Sequence, residues 1–108
     1  MFISTILIFL ITISLGVWLL MYILKNKNTP KGLALTHGSF AFIGILLLII
    51  YSIFYNAPLV SLLLFIAAAI GGFILIYRDI TGKTIPKWLA LGHGITALLG
   101  LICLILFA

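Results

Sequence analysis

The sequence predicts an all-α membrane protein, a four-transmembrane-helix bundle built from two parallel helix–loop–helix repeats. Three observations lead to this prediction: the composition, the lengths of the apolar runs and a duplicated motif. Of the 108 residues, 66% are hydrophobic and only 6% are charged, and the mean hydropathy is +1.50. A water-soluble domain of this length cannot bury so much apolar surface. We therefore expect one transmembrane domain, residues 1–108, in contact with the lipid bilayer.

The apolar runs have the lengths of transmembrane helices. They are Phe2–Leu24, Gly32–Tyr55, Pro58–Tyr77 and Lys87–Phe107, and each is close to the roughly 20 residues that cross a bilayer core. Their apolarity is continuous rather than alternating, which favours helices over a β-barrel. The first run has no basic residue before Lys25 and is too long for a signal peptide, so we interpret it as a retained helix.

The breaks between the runs contain typical helix-boundary residues. "YNAPL" is a tight turn between the second and third runs. Pro30 and Pro86 are predicted to lie in the first turns of helices two and four, where a missing N–H group costs little. Asn28 and Thr84 are the corresponding N-cap candidates.

The charges predict the orientation of the chain. The six basic residues and the single acidic residue all lie in the first and third connections, while the termini and the "YNAPL" turn carry no charged side chain. The positive-inside rule then predicts cytoplasmic basic loops and external termini. We expect an integral protein of a bacterial inner membrane. A few loop lysines do not form a nucleic-acid-binding surface, so no nucleic-acid partner is expected.

Two stretches of the chain repeat each other. "PKGLALTHGSFAFIG" begins at Pro30 and "PKWLALGHGITALLG" begins at Pro86, and they agree at nine of fifteen positions. At the same offset Gly16 corresponds to Gly72 and Lys27 to Lys83. We predict repeat one at about residues 1–55 and repeat two at about 56–108. Each half crosses the membrane twice, so the pseudo-two-fold axis runs along the membrane normal and equivalent residues lie at one depth.

The repeat contains the only two histidines of the chain, His37 and His93. Each lies six residues beyond its helix-opening lysine, roughly 9 Å into the membrane, and an ionisable side chain at that depth indicates a functional site. Small residues share the helix face of each histidine: Ala34, Ala41 and Gly44 in helix two, and Ala90, Ala97 and Gly100 in helix four. Two imidazoles facing each other over such small side chains suit a planar macrocycle with two axial ligands.

In these features the sequence resembles the transmembrane b-type cytochromes, helical bundles that hold haem between histidines on facing helices. The resemblance rests on the two His-Gly sites in helices two and four, and it implies one haem b per chain with His37 and His93 as iron ligands. Lys31 and Lys87 are the first candidates for propionate contacts, and Lys27 and Lys83 the second. Many such cytochromes carry four histidines and two haems, whereas this chain has only two histidines. The implied function is electron transfer, with a quinone or a redox protein as partner.

Other functions remain open from the sequence. The histidines can instead make hydrogen bonds between helices in a cofactor-free accessory subunit of a membrane complex. A small transporter is a further alternative, although the only acid, Asp79, lies at a loop boundary. No hydrolase-type arrangement is present, so enzymatic activity depends on a redox cofactor. The run Ala67–Ala69 with Gly71 and Gly72 can pack within the bundle or against a second copy, which leaves a homodimer possible.

Overall fold

The computed structural model describes residues 1–107, which form four α-helices and no β-strand. The helices are α1 (Phe2–Leu24), α2 (Lys31–Tyr55), α3 (Leu59–Ile80) and α4 (Lys87–Phe107). All four are long and apolar enough to cross a membrane. The predicted all-α fold with four membrane-spanning helices is therefore confirmed. Ala108, the last residue of the predicted second repeat, lies outside the described residues.

The helix boundaries follow the apolar runs closely. Helices α1 and α4 have the predicted limits, α2 begins one residue earlier at Lys31, and α3 continues to Ile80. Pro30 and Pro86 were predicted to lie in the first turns of α2 and α4, but each lies directly before its helix. Pro30 is the N-cap of α2, with an extended ψ of 124°, and its carbonyl accepts a hydrogen bond from the N–H of Ala34.

The predicted N-cap residues do not cap these helices. Asn28 and Thr84 each lie two positions before the proline that precedes the helix. The Pro86 carbonyl accepts a hydrogen bond from the N–H of Ala90, as in the first half. Thr29, directly before Pro30, donates its hydroxyl to Asp79 on α3 instead of capping α2. Pro30 therefore opens α2 through its backbone carbonyl, with no side-chain cap.

Helices α1 and α3 end in the same backbone motif. The Lys27 N–H donates to the Tyr22 carbonyl, and the Asn26 N–H donates to the Ile23 carbonyl. In α3 the corresponding donors are Lys83 and Gly82. This pattern is a Schellman motif, which satisfies the last carbonyls of a helix and requires a left-handed residue after the C-cap. Asn26 and Gly82 occupy that position, with φ of 56° and 72°.

The four helices pack as a square in chain order. Helix α1 lies beside α2 and α4, and α3 lies beside α4 and α2, so among the described residues α2 and α4 face each other across the diagonal. The bundle measures 41 × 23 × 19 Å. The two basic loops lie together at one end, where the Lys31 ammonium contacts the Asp79 carboxylate at 2.6 Å.

The core of the bundle contains two stacked phenyl rings. Phe9 of α1 and Phe65 of α3 lie 3.8 Å apart between ring centroids with 7° between their planes. Leu48, Leu101 and Leu104 complete the buried cluster. In lipid, close packing of this kind holds helices together, because burying apolar surface gives little gain there. The stack therefore joins the diagonal pair α1 and α3.

Candidate functional site

Each histidine donates a hydrogen bond to a backbone carbonyl of the neighbouring helix. His37 Nδ1 lies 2.9 Å from the Thr12 oxygen on α1, and His93 Nδ1 lies 2.7 Å from the Ala68 oxygen on α3. A carbonyl oxygen can only accept, so Nδ1 carries the hydrogen in both rings. In a neutral imidazole this leaves the lone pair on Nε2. Both histidines therefore keep a free nitrogen that can bind a metal.

Two glycines make these hydrogen bonds possible. Gly16 lies four residues after Thr12 on α1, and Gly72 lies four residues after Ala68 on α3. A side chain at such a position points back toward the carbonyl four residues earlier. A Cβ atom at Gly16 would come within 2.9 Å of His37 Cε1, and one at Gly72 within 3.1 Å of His93 Cε1. Glycine thus leaves each imidazole the space it occupies beside its acceptor.

The two imidazoles meet across the diagonal of the bundle. Their ring centroids lie 6.1 Å apart, with 85° between the ring planes. The predicted arrangement of helices two and four facing each other, with His37 and His93 directed at one another, is present in the structure. Within residues 1–107 no third histidine, cysteine or acidic side chain joins them in a group that could hold a metal. The donor set is therefore two imidazoles.

The small residues predicted to line a cofactor fall into two groups. Gly44 lies against the ring of Phe9, where a Cβ atom would come within 2.8 Å of Cε1, and Gly100 lies against Phe65 at 3.1 Å. Ala97 also packs against the phenyl cluster. Ala34 is half-buried and Ala90 is buried, and each lies about one turn nearer the basic loops than its histidine. Ala41 is half-buried and lies about one turn deeper than His37. The sequence pattern did not indicate that phenyl rings fill the deeper part of this face.

The four candidate lysines have different environments. Lys31 pairs with Asp79 and also contacts the Thr29 hydroxyl at 3.4 Å. Lys83 places its ammonium 5.1 Å from the centre of the Tyr77 ring. Lys27 lines a cavity beside α1 together with Trp18. Lys87, at the start of α4, is exposed. Of the two first-choice propionate contacts, only Lys87 is without a carboxylate partner in the described structure.

The sequence reasoning missed several residues of the site. The carbonyls of Thr12 and Ala68 carry no sequence signal, because every residue has a carbonyl group. Gly16 and Gly72 did appear in the repeat, and their equivalence was the available clue. The Gly71–Gly72 pair and Ala68 face His93 within the bundle. The predicted second use of this segment, contact with another copy of the chain, stays a prediction.

Comparison with known proteins identified no relative of this chain. No protein-family model matches the chain, and neither a curated protein nor a solved structure shows significant similarity to it.

Proposed function

We propose that this chain is a membrane electron-transfer protein that binds one haem b through His37 and His93. The observation that carries the proposal is the pair of Nδ1–H bonds to backbone carbonyls, which leaves two Nε2 lone pairs on rings 6.1 Å apart. Histidines that bind metals usually donate their other ring N–H to a carbonyl or carboxylate. Haem in such a site supplies one-electron oxidation and reduction of its iron.

The spacing of the rings would allow both histidines to hold one metal-containing cofactor. Imidazole nitrogens bind metals at about 2 Å, and the two ring centroids lie 6.1 Å apart. His37 and His93 would supply their Nε2 atoms as ligands. The carbonyls of Thr12 and Ala68 hold the ring orientation and increase the basicity of Nε2. Gly16 and Gly72 keep that orientation free of steric conflict.

The packing limits where a macrocycle can lie. Seven residues separate His37 from Gly44, about 10 Å along the helix, and the Phe9 ring already occupies the space at Gly44. A ring held by the histidines therefore has to lie on the loop side of the phenyl stack. There Ala34, Ala41 and Ala90 offer small side chains. Gly44 and Gly100 would then pack against the rings of Phe9 and Phe65 instead of contacting the cofactor.

The basic loops supply charge for the cofactor carboxylates. Lys87 is the strongest candidate, and Lys31 can contribute if its ammonium is shared with Asp79. Lys83 and Lys27 remain the second choice. We propose that the electron partner is a quinone or a redox protein, and that the basic loops face the cytoplasm of a bacterial cell with both termini outside.

An absorption spectrum of the purified chain tests the haem proposal. After expression with added haem precursor, we expect a sharp Soret band and narrow α and β bands in the reduced form. His37→Ala and His93→Ala should each abolish this low-spin spectrum, because each removes one of the two imidazoles that would hold the haem. Ser39→Ala is the matched control, since Ser39 is exposed on α2 and bonds only to the Leu35 carbonyl of its own helix. Colourless haem-supplemented protein would refute the proposal.

A cofactor-free accessory subunit is the second candidate, and one observation favours it. Each histidine already has a hydrogen-bond partner within the protein. In a cofactor-free subunit the whole role of these two bonds would be to join α2 to α1 and α4 to α3. Hydrogen bonds between membrane helices contribute about 0.6 kcal/mol on average. In this case His37→Ala lowers thermal stability and changes no absorption band. The spectrum and the melting curve together separate the two functions.

A further inference from the structure

A patch of α1 close to the basic loops combines interfacial aromatic and basic side chains. Trp18, Met21, Tyr22 and Lys25 follow each other at helical spacing and share one face of α1. Together with Lys27 they line an open cavity of about 220 Å³, which we call the α1 patch. Trp18 is 57% exposed and Met21 47% exposed, so no other helix covers this face. Neither histidine lines it.

The backbone places both lysines at the edge of the patch. Lys25 is the C-cap of α1, and its N–H donates to the Met21 carbonyl. Lys27 follows the left-handed Asn26 in the Schellman motif, and its N–H donates to the Tyr22 carbonyl. The turn therefore folds Lys27 back toward the last turn of α1. Both ammonium groups are carried on the side of the helix end where Trp18 and Tyr22 lie.

Within residues 1–107 these two lysines form no ion pair with an acidic side chain. The only acidic residue is Asp79, and it is held by Lys31 and Thr29. The positive charge at the α1 patch is consequently uncompensated by protein. Tryptophan and tyrosine at this level of a membrane helix lie among lipid headgroups. An anionic group attached to an acyl chain matches both parts of the surface.

We propose that the α1 patch binds an anionic phospholipid, with its phosphate between Lys25 and Lys27 and an acyl chain along Trp18 and Met21. Basic residues beside membrane helices attract anionic headgroups by about 1 kcal/mol each. The occupant is a lipid rather than free phosphate because Trp18 and Met21, the part of the patch farther from the loop, are apolar and exposed. This inference does not depend on the haem proposal.

The second half of the chain provides an internal control. At an offset of 56 residues Trp18 corresponds to Ile74, Lys25 to Thr81 and Lys27 to Lys83. The backbone motif is the same at both positions, but Lys83 lies over the Tyr77 ring and the position equivalent to Lys25 holds the uncharged Thr81. Lys83→Ala therefore removes the same charge at an equivalent turn without touching the patch.

Quenching of Trp18 fluorescence by brominated lipids measures the binding. In a Trp88→Phe variant Trp18 is the only tryptophan, and the protein is reconstituted in phosphatidylcholine vesicles containing equal fractions of brominated phosphatidylglycerol or brominated phosphatidylcholine. We expect phosphatidylglycerol to quench more strongly. Lys25→Ala and Lys27→Ala should each reduce this preference by about fivefold, and 0.5 M salt should reduce it further.

Three outcomes would overturn the inference. Equal quenching by the two lipids would mean that the patch does not select an anionic headgroup. A loss of preference in Lys83→Ala as large as in Lys27→Ala would assign the effect to overall charge. Protection of Trp18 from both lipids, together with cross-linking between α1 helices, would assign the face to a second copy of the chain. Retention of the preference in His37→Ala protein supports the inference even where haem is absent.

Discussion

At the scale of single residues, the site depends on pairing one histidine with one glycine on the neighbouring helix. His37 reaches the Thr12 carbonyl because Gly16 has no side chain, and His93 reaches the Ala68 carbonyl beside Gly72. The repeat in the sequence indicated the two histidines as a pair, and their depth in the membrane stays a prediction. It could not predict the acceptors, because backbone carbonyls are invisible in a sequence, nor which small residues would contact aromatic rings.

We predict that Gly16→Ala destabilises the protein through the His37 ring. The new Cβ atom would lie 2.9 Å from His37 Cε1, and overpacking of this kind costs about 1–3 kcal/mol. In a His37→Ala background the same substitution should cost little, because the ring it opposes is gone. Thermal unfolding in mild detergent measures the four members of this double-mutant cycle.

Gly38→Ala serves as the control for helix propensity, since a Cβ atom there meets nothing within 4 Å. It should leave the melting temperature unchanged or raise it slightly. The double variant Gly16→Ala with His37→Ala could instead lose as much stability as the two single variants together. That result would show that Gly16 does not act by making room for the imidazole.

At the scale of elements, the helix limits were largely predictable and the caps were not. Continuous apolarity defined α1 and α4 to the residue, because a lipid-exposed helix has to remain apolar over its whole length. The two prolines were predicted inside the first turns of α2 and α4, but both lie directly before their helices. Pro30 acts as an N-cap through its carbonyl, while Thr29 bonds to Asp79. A contact between residues 50 positions apart leaves no local signal.

We predict unequal effects of two substitutions in the matching Schellman motifs. Gly82→Ala should destabilise the protein by about 1 kcal/mol, because Ala at a φ of 72° is strained. Asn26→Gly should stabilise it by a few tenths of a kcal/mol, since Asn already adopts this conformation at a small cost. Melting curves of the two single variants provide the comparison. A loss of stability in Asn26→Gly as large as that in Gly82→Ala, or larger, would contradict this account of the turns.

At the scale of the whole molecule, the charges and the fold agree on one arrangement. Every charged side chain lies in or directly beside the two loops at one end of the bundle, where Lys31 contacts Asp79. The positions of the basic residues in the sequence predicted that one end of the bundle is charged and the other is not, because basic residues gather in loops on one side of a membrane. The stacked Phe9 and Phe65 at the centre were not predicted, since nothing in the sequence distinguishes them from exposed phenylalanines such as Phe42.

We predict that the basic loops are cytoplasmic and the Asn56 turn is external. In a Cys103→Ser background, Asn56→Cys should react with an impermeant maleimide added to intact cells, and Lys27→Cys should react only after the membrane is broken. Both positions are exposed in loops. Asn56 has a left-handed φ of 56°, so Asn56→Cys should lower stability slightly, and labelling is compared per amount of protein in the membrane. Labelling of position 27 in intact cells would reverse the assigned orientation.

The location of the histidine hydrogen bonds also has a consequence for biogenesis. The His37 bond lies within the hairpin of α1 and α2, and the His93 bond lies within the hairpin of α3 and α4. During synthesis each imidazole meets its acceptor as soon as its own hairpin has entered the bilayer, before the other half exists. No exposed ring N–H has to wait in hydrocarbon, where an unsatisfied polar group is costly. The two hairpins are thus suited to insertion as separate polypeptides that join afterwards through apolar packing and the contacts of Asp79 with Thr29 and Lys31.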